Sequence, residues 1–491
     1  MLEYEPILEL AVRIRRGKIS SAALTEHCLD RIASLDPRLH AFLAVTRDRA
    51  LQEARAADQE LREGHDRGPL HGIPYAAKDL FGVKGLPTTG GTRLLSGNVA
   101  REDCTAVRRL SAAGMVLLGK THTVQFAFGL VGTNADQGNP LNPWHAAPHA
   151  PGGSSSGSAV AVAAGLAPAA LGTDTGGSVR VPAALCGIVG LKTTVGRVSR
   201  AGVYPLSRTL DSVGPLARSV EDAAWLYAAL SGPDSGDPST AGIKVEDPLP
   251  TLEEGVVGLR LAFGETVFFD DVDPEVEDAV RTTGEVFRSL GASVTSIELP
   301  EVAELVLEKN RGLFVAHEAC EVNRDLLDRH FDELDPNVAR RMITGRDLEP
   351  NAFEAMKQRY LGYRERLSRT LAGVDALLMP ASMLPARPIA PLLESPEAYR
   401  DYNLKLNRNA GIGNVLDLCG VSLPCGFTSA GLPIGLLVSA KPFHEAMALR
   451  VARAYERATS WHERRPDLSW AAPRGGSTPS PGAAAPRAAT P

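Results

Sequence analysis

The chain has 491 residues, 44% of them hydrophobic and 22% charged, with a formal net charge of −6; that is a globular composition, long enough for one large core or for two or three ordinary domains. The acidic balance offers no basic field for nucleic acid, and the run from Arg13 to Lys18 reads as the solvated end of a helix. No stretch reaches transmembrane length, the N-terminus lacks the order of a signal peptide, and six cysteines without a C-x-x-C pair argue against a disulfide framework and a cysteine metal site. The expectation is a cytoplasmic protein with reduced, buried thiols, away from membranes.

Residues 5 to 62 carry helical periodicity, as in "SSAALTEHCLDRIASLD", with Ser20 or Ser21 as N-cap and Leu24, Cys28 and Ile32 on one face. They predict outer helices over 1–65. From His71 to Leu216 short apolar runs ("IPYAA", "MVLLG", "LAPAALG", "GIVGL") alternate with Gly/Thr/Ser/Pro loops, the pattern of buried strands in an α/β sheet. The chemistry is expected in this block, 66–230.

After a polar gap at 231–242, the segment 243–300 reads β-α-β: "LRLAFG", the helical "PEVEDAVRTTGEVFRSL", then "ASVTSIEL". Residues 301–371 are mostly helical and read as a cap beside the core. Over 372–466, "DALLMP", "GVSLPCGF" and "LPIGLLVSA" return to strand, and "HEAMALRVARAYERAT" closes the fold as a helix. The alternation predicts a single α/β unit over 1–470. The tail 471–491, rich in Pro, Gly, Ala and Ser, is expected to be disordered.

Three motifs mislead. "GMVLLGKT" (114–121) fits the P-loop pattern, but its centre is Met-Val-Leu-Leu, a buried strand, where a phosphate cradle needs small flexible residues. "GSSSG" (153–157) fits a nucleophile elbow on Ser155, yet the preceding "NPWHAAPHAPG" is no hydrophobic strand. His71 invites a Ser-His-Asp triad, but lone histidines are more often surface or packing residues.

What remains is Lys78 after "HGIPYAA", Ser154 opening "GGSSSGSAVAVAAG", and Ser178 in "GTDTGGSVRVPA". Gly176 and Gly177 before Ser178 can aim several backbone N–H groups at one spot, as an oxyanion site requires, or can simply make a tight strand-to-helix turn. A lysine leaving the core after an apolar run is desolvated and can serve as a base; a snorkelling or Asp-paired lysine gives the same text.

The run from Gly72 to Ala224, above all "GGSSSGSAVAVAAGLAPAALGTDTGGSVRVPAALCGIVGLKTTVGRVSRAGVYPLSRTLDSVGPLARSVEDAA", resembles the amidase signature family of serine hydrolases. The similarity extends more weakly to the helical N-terminus and to "GVSLPCGFTSAGLPIGLLVSAKPFHEAMALRVARAYE"; 301–371 matches poorly. The resemblance implies an α/β/α sandwich with a large mixed central sheet covered by helices on both faces. It implies Lys78 as catalytic lysine, Ser154 as the middle serine after a cis peptide bond from Gly153, and Ser178 as nucleophile. It further implies an oxyanion hole from the N–H groups of Thr175, Gly176, Gly177 and Ser178, with Ser155 supporting the lysine and no cofactor or metal. Asp174 and Arg180 brace the loop, or form an ordinary structural ion pair. Gln125, Phe128 and Gly129 are placed in the substrate pocket on loop position alone.

The expected activity is hydrolysis of a small-molecule amide or carbamate (urethane) through an acyl-enzyme on Ser178, by a monomer or homodimer without nucleic acid. One alternative is the ammonia-releasing member of a glutamyl/aspartyl-tRNA amidotransferase, its A subunit, which takes glutamine. Gln125, where that protein usually carries an acid, and Asn407, near its glutamine-binding aspartate, are departures from it. The other is an allophanate/biuret-type hydrolase, favoured by "VQFAFGLVGT" and opposed by Gly176, where that branch usually has alanine.

Overall fold

The computed structural model describes residues 2–308 and 311–473. Its strands are β1 (Phe42–Val45), β2 (Pro74–Lys78), β3 (Val116–Thr121), β4 (Ala169–Asp174), β5 (Val189–Lys192), β6 (Ser212–Ala217), β7 (Arg260–Gly264), β8 (Ser293–Ile297), β9 (Ala376–Pro380), β10 (Cys419–Phe427) and β11 (Pro433–Ala440). They form one 11-stranded sheet in the order β1-β3-β2-β4-β6-β5-β10-β11-β9-β7-β8. β2 runs parallel to both β3 and β4, and β7 to both β8 and β9; the other pairs are antiparallel, so the sheet is mixed.

Alternation along the strands explains the two helical layers. On β2, Tyr75 and Ala77 enter a core shared with the helices Ile7–Arg15, Thr105–Ala112 and Val220–Leu230. Ala76 points the other way and, with Val116 and Leu118 of β3, meets the helices Ser21–Leu39, Arg47–Arg62 and Ser156–Ala163. A strand buried on both faces has no polar face to show, which is why these segments read as nearly continuous apolar text. The protein is an α/β sandwich with helices on both faces of a mixed sheet.

Ser20 caps the helix Ser21–Leu39, its Oγ accepting the Ala23 N–H at 3.0 Å, and Leu24, Cys28 and Ile32 are all buried. The outer segment is not wholly helical, however. β1 lies between two of its helices and pairs antiparallel with β3, Phe42 opposite Thr121. Four residues, "FLAV", carry no period of their own, and only the edge of β3 makes them a strand.

Lys120, the lysine of the P-loop-like text, lies within β3 with its Nζ 2.7 Å from Asp79. His71 is fully buried, its Nε2 3.0 Å from Glu60. It packs so closely on Gly114 that a Cβ there would come within 2.3 Å of the ring.

The helices Pro300–Leu307, Arg311–Val322, Arg324–His330, Pro336–Met342 and Pro350–Thr370 form the cap. Ala316, Ala319, Leu327, Val338 and Met342 pack against Phe126, Ala127, Phe128 and Leu206. The expected disordered tail begins too early: Ala471 is 1% exposed within the core that holds Cys28 and Leu29. The rest of that expectation, from 474 on, lies outside the described residues.

Leu436 in the middle of β11 is fully buried, whereas Leu361 on the helix Pro350–Thr370 is 52% exposed. Leu436→Ala is expected to cost about 2–5 kcal/mol and Leu361→Ala less than about 0.5 kcal/mol. Calorimetric melting of the two variants measures the contrast; equal Tm losses would contradict this assignment of the core.

Candidate active site

The site lies where the parallel strands β2 and β4 end. Their register sets Ala77 opposite Leu171, so Lys78 and Thr173 reach the same edge of the sheet, the carboxyl-end location at which open α/β sheets take their ligands. Lys78 is fully buried, with Nζ 2.8 Å from Ser154 Oγ and 2.8 Å from Thr173 Oγ1. Burial disfavours the ammonium and pulls its pKa from 10.5 to about 7, against the opposing charges of Asp211 and Asp174. Near pH 7 the lysine is therefore divided between its neutral and charged forms.

Ser154 follows a cis Gly153–Ser154 peptide bond and precedes the helix Ser156–Ala163. That helix approaches closely because Gly157 has no side chain: a Cβ there would stand 2.2 Å from Ala41 O and 2.4 Å from His122 N. Ser155 N–H donates to Ser178 O at 3.3 Å, tying the two serine segments together. Ser155 Oγ donates to Thr173 O at 3.3 Å, so this hydroxyl reaches the lysine's surroundings through Thr173.

The turn from Asp174 to Arg180 is organised by one carboxylate. Asp174 accepts Gly177 N–H at 2.9 Å, Val179 N–H at 3.0 Å, Arg180 Nε at 3.0 Å and Asn414 Nδ2 at 2.9 Å. Burial alone would raise its pKa, but Arg180, then Lys192 and Asn414, hold it well below the usual carboxylate range. Asp174 and Arg180 form a buried ion pair at 2.9 Å, and the same carboxylate accepts the Gly177 and Val179 N–H groups of this turn.

Asp174 also occupies the Gly177 N–H. The N–H groups of Thr175, Gly176 and Ser178, by contrast, make no hydrogen bond to another described residue. Gly177 has φ 120°, and a Cβ on it would stand 2.6 Å from Ala410 Cβ, so both conformation and space require glycine.

Ser178, Thr175 and Gly176 open onto a cavity of about 190 Å³ walled by Phe128, Gly129, Leu206, Arg341, Asn403 and Asn407, among others. Of the three residues expected to line a substrate pocket, Phe128 and Gly129 are among the walls of this cavity. Gln125 is not: it is fully buried under the cap, its Oε1 accepting the Asp335 N–H at 2.8 Å at the start of the helix Pro336–Met342. Sequence position missed Thr173, whose pairing with Lys78 depends on strand order, and Arg341, which arrives from the cap. Arg341 donates to Phe128 O at 3.2 Å and lies 4.2 Å over the Phe128 ring. It makes no ion pair with a described carboxylate.

With the geometry in place, its likeness to known proteins is direct. The family model described as Amidase matches residues 23–449, and the chain belongs to that family of amide-cleaving hydrolases. It is 39% identical over 490 residues to the A subunit of the glutamyl-tRNA(Gln) amidotransferase of Chloroflexus aurantiacus, covering 95% of this chain and 99% of that protein. Among solved structures, the peptide amidase of Stenotrophomonas maltophilia is 32% identical with a TM-score of 0.82, covering 94% of this chain and 98% of that one. The corresponding glutamyl-tRNA(Gln) amidotransferase chain of Thermotoga maritima is 31% identical with a TM-score of 0.77, covering 93% and 95%.

These relatives correct one expectation. The expectation was a small-molecule amide or carbamate substrate for a monomer or homodimer, with nucleic acid excluded on the acidic balance; the curated relatives are named as subunits of a glutamyl-tRNA(Gln) amidotransferase. Net charge over a whole chain says little about a partner met by one face or through another protein of a complex. Among the described residues no helix is long and apolar enough to cross a membrane.

If neutral Lys78 is the base, the rate of acylation should rise through about pH 7 and fall roughly tenfold per pH unit below it. A pH profile of kcat/KM checks this; a flat profile from pH 5 to 8 would remove Lys78 from the role. Gly177→Ala is expected to lose about a hundredfold or more in kcat with the fold retained by circular dichroism, because the turn that carries Ser178 cannot close.

Proposed function

We propose that the chain cleaves a carbon–nitrogen bond through an acyl-enzyme on Ser178, and that its donor carries a carboxylate, with glutamine as the leading candidate. Neutral Lys78 accepts the proton of Ser154, Ser154 takes the proton of Ser178, and Ser178 Oγ attacks the carbonyl carbon. The oxyanion is held by the N–H groups of Thr175, Gly176 and Ser178. As the bond to nitrogen breaks, Ser154 returns the proton to the leaving ammonia or amine, and water then releases the acid.

Arg341 carries this reading: a partly buried guanidinium facing the cavity of Ser178, with no described carboxylate paired to it, is an anchor for an anionic group on the substrate. The curated relatives support the glutamine-using reading, in which the chain is the ammonia-releasing component of a tRNA-dependent amidotransferase.

A second reading rests on another feature of the same cavity. Its described lining holds Asn403 and Asn407 and no Asp or Glu, so nothing with full negative charge awaits the ammonium of a free amino acid. That favours an amide or carbamate without an ammonium group, including aryl carbamates and urea-like N-acyl compounds.

Purified chain is given L-glutamine, a simple aliphatic amide and an aryl carbamate, with Ser178→Ala as control. Ammonia from glutamine alone, with KM raised about tenfold or more in Arg341→Gln, supports the first reading. Turnover of the neutral amide or carbamate but not glutamine supports the second. Full turnover in Ser178→Ala would sink both.

A further inference from the structure

The loop from Tyr204 to Asp211 joins three parts of the molecule that this reaction uses. Leu206 and Leu210 wall the cavity at Ser178. Ser207 Oγ and Thr209 Oγ1 both donate to Glu318 on the cap helix Arg311–Val322, Thr209 at 2.7 Å, and Tyr204 OH donates to Asn323 at 2.7 Å. The last residue, Asp211, turns inward and is 8% exposed. Its Oδ1 accepts Thr175 Oγ1 at 2.5 Å and Ser207 N–H at 3.0 Å, and its Oδ2 accepts Leu206 N–H at 2.9 Å.

Thr175 opens the row of oxyanion donors, and Thr173, two positions earlier, accepts Lys78. Asp211 and Thr173 also share a wall of a second cavity, about 250 Å³, with Arg200, Arg208 and Asp237. Asp211 thus lines this second cavity and not the one at Ser178, and reaches the turn of Ser178 through Thr175.

We propose that Asp211 is a positioning residue for the reaction: it fixes the oxyanion turn through Thr175 and supplies the negative charge that acts on Lys78. The proposal rests on the reading of Lys78 as the base for Ser178.

The neighbouring charges single Asp211 out. Two carboxylates act on Lys78, Asp211 first and Asp174 second. Asp174 is neutralised by Arg180 at 2.9 Å with Lys192 nearby, and Asp79, next to Lys78 in the chain, is paired with Lys120 at 2.7 Å. On the far side, Arg200 bonds Asp211 O at 3.3 Å and pairs with Asp237 at 3.4 Å, and Arg208 lies on the cavity wall. Asp211 itself makes no direct ion pair with a described residue. Burial raises its pKa to about 6, while the bonds from Thr175, Leu206 and Ser207 and the charge of Arg200 oppose the rise. Above that pH it is anionic and favours the ammonium form of Lys78, so removing its charge makes Lys78 lose its proton at lower pH.

Phosphonylation of Ser178 by a fluorophosphonate tests this without knowledge of the natural substrate. The Ser178 Oγ–P bond forms, the P–F bond breaks, fluoride leaves, and the hydroxyl proton passes by way of Ser154 to Lys78. Labelling rates are measured against pH for the full chain, for Asp211→Asn and for Thr175→Val, which keeps the backbone donor and every charge. In Asp211→Asn the acid limb should move down by about one pH unit and the plateau should fall about tenfold. Thr175→Val should lower the plateau by a similar factor and leave the limb in place. A limb in Asp211→Asn coincident with the unsubstituted chain overturns the proposal, and so does an undiminished plateau in Thr175→Val, which decides the matter even if Asp211→Asn does not fold. Absence of labelling at Ser178 in the unsubstituted chain instead removes the reading beneath it.

Discussion

The dry environment of Lys78 is the constraint on which the site is built. An ammonium with no exposed surface, bonded to two hydroxyls and to no described carboxylate, is held in its charged form only weakly. For the lysine to be that dry, β2 must be an interior strand with helices on both faces, and the chain supplies Ala76 and Ala77 so that those layers can approach. Gly157 does the same for the helix that delivers Ser154. The architecture and the basicity of one side chain are therefore a single problem with a single solution.

Two buried carboxylates flank the turn that carries Ser178, and their surroundings shift their pKa values in opposite directions. Asp174 is saturated by Arg180, Asn414 and three backbone N–H groups and stays ionised well below the usual range. Asp211 receives hydroxyl and backbone donors only, and burial lifts it. The first is a fixed structural charge that shapes the loop. The second is a charge whose influence is left over for its surroundings, Lys78 among them.

The cap has a different role. It shares an apolar cluster with Phe126, Phe128 and Leu206, and Arg341 brings it into the cavity of Ser178. The signature block supplies Lys78, Ser154 and Ser178, while the cap and the helix Pro396–Val415, with Asn403 and Asn407, line the rest of the cavity.

The sequence by itself determined most strands, the layered α/β class and the run that carries Lys78, Ser154 and Ser178, because buried parallel strands and glycine-rich turns leave strong local patterns. Its rejection of the P-loop-like text also rested on local chemistry: Val116 to Leu118 belong to a strand, not a loop. Tertiary structure alone decided β1, which exists through β3, the contact of Lys78 with Thr173, which depends on β2 and β4 being neighbours, and the inward turn of Gln125 toward Asp335. It also decided Arg341, which enters the cavity from a helix with no motif of its own. Local patterns record which residues are buried or bent; which distant residues meet is set by strand order and layer packing, and that leaves no mark at any one position of the chain.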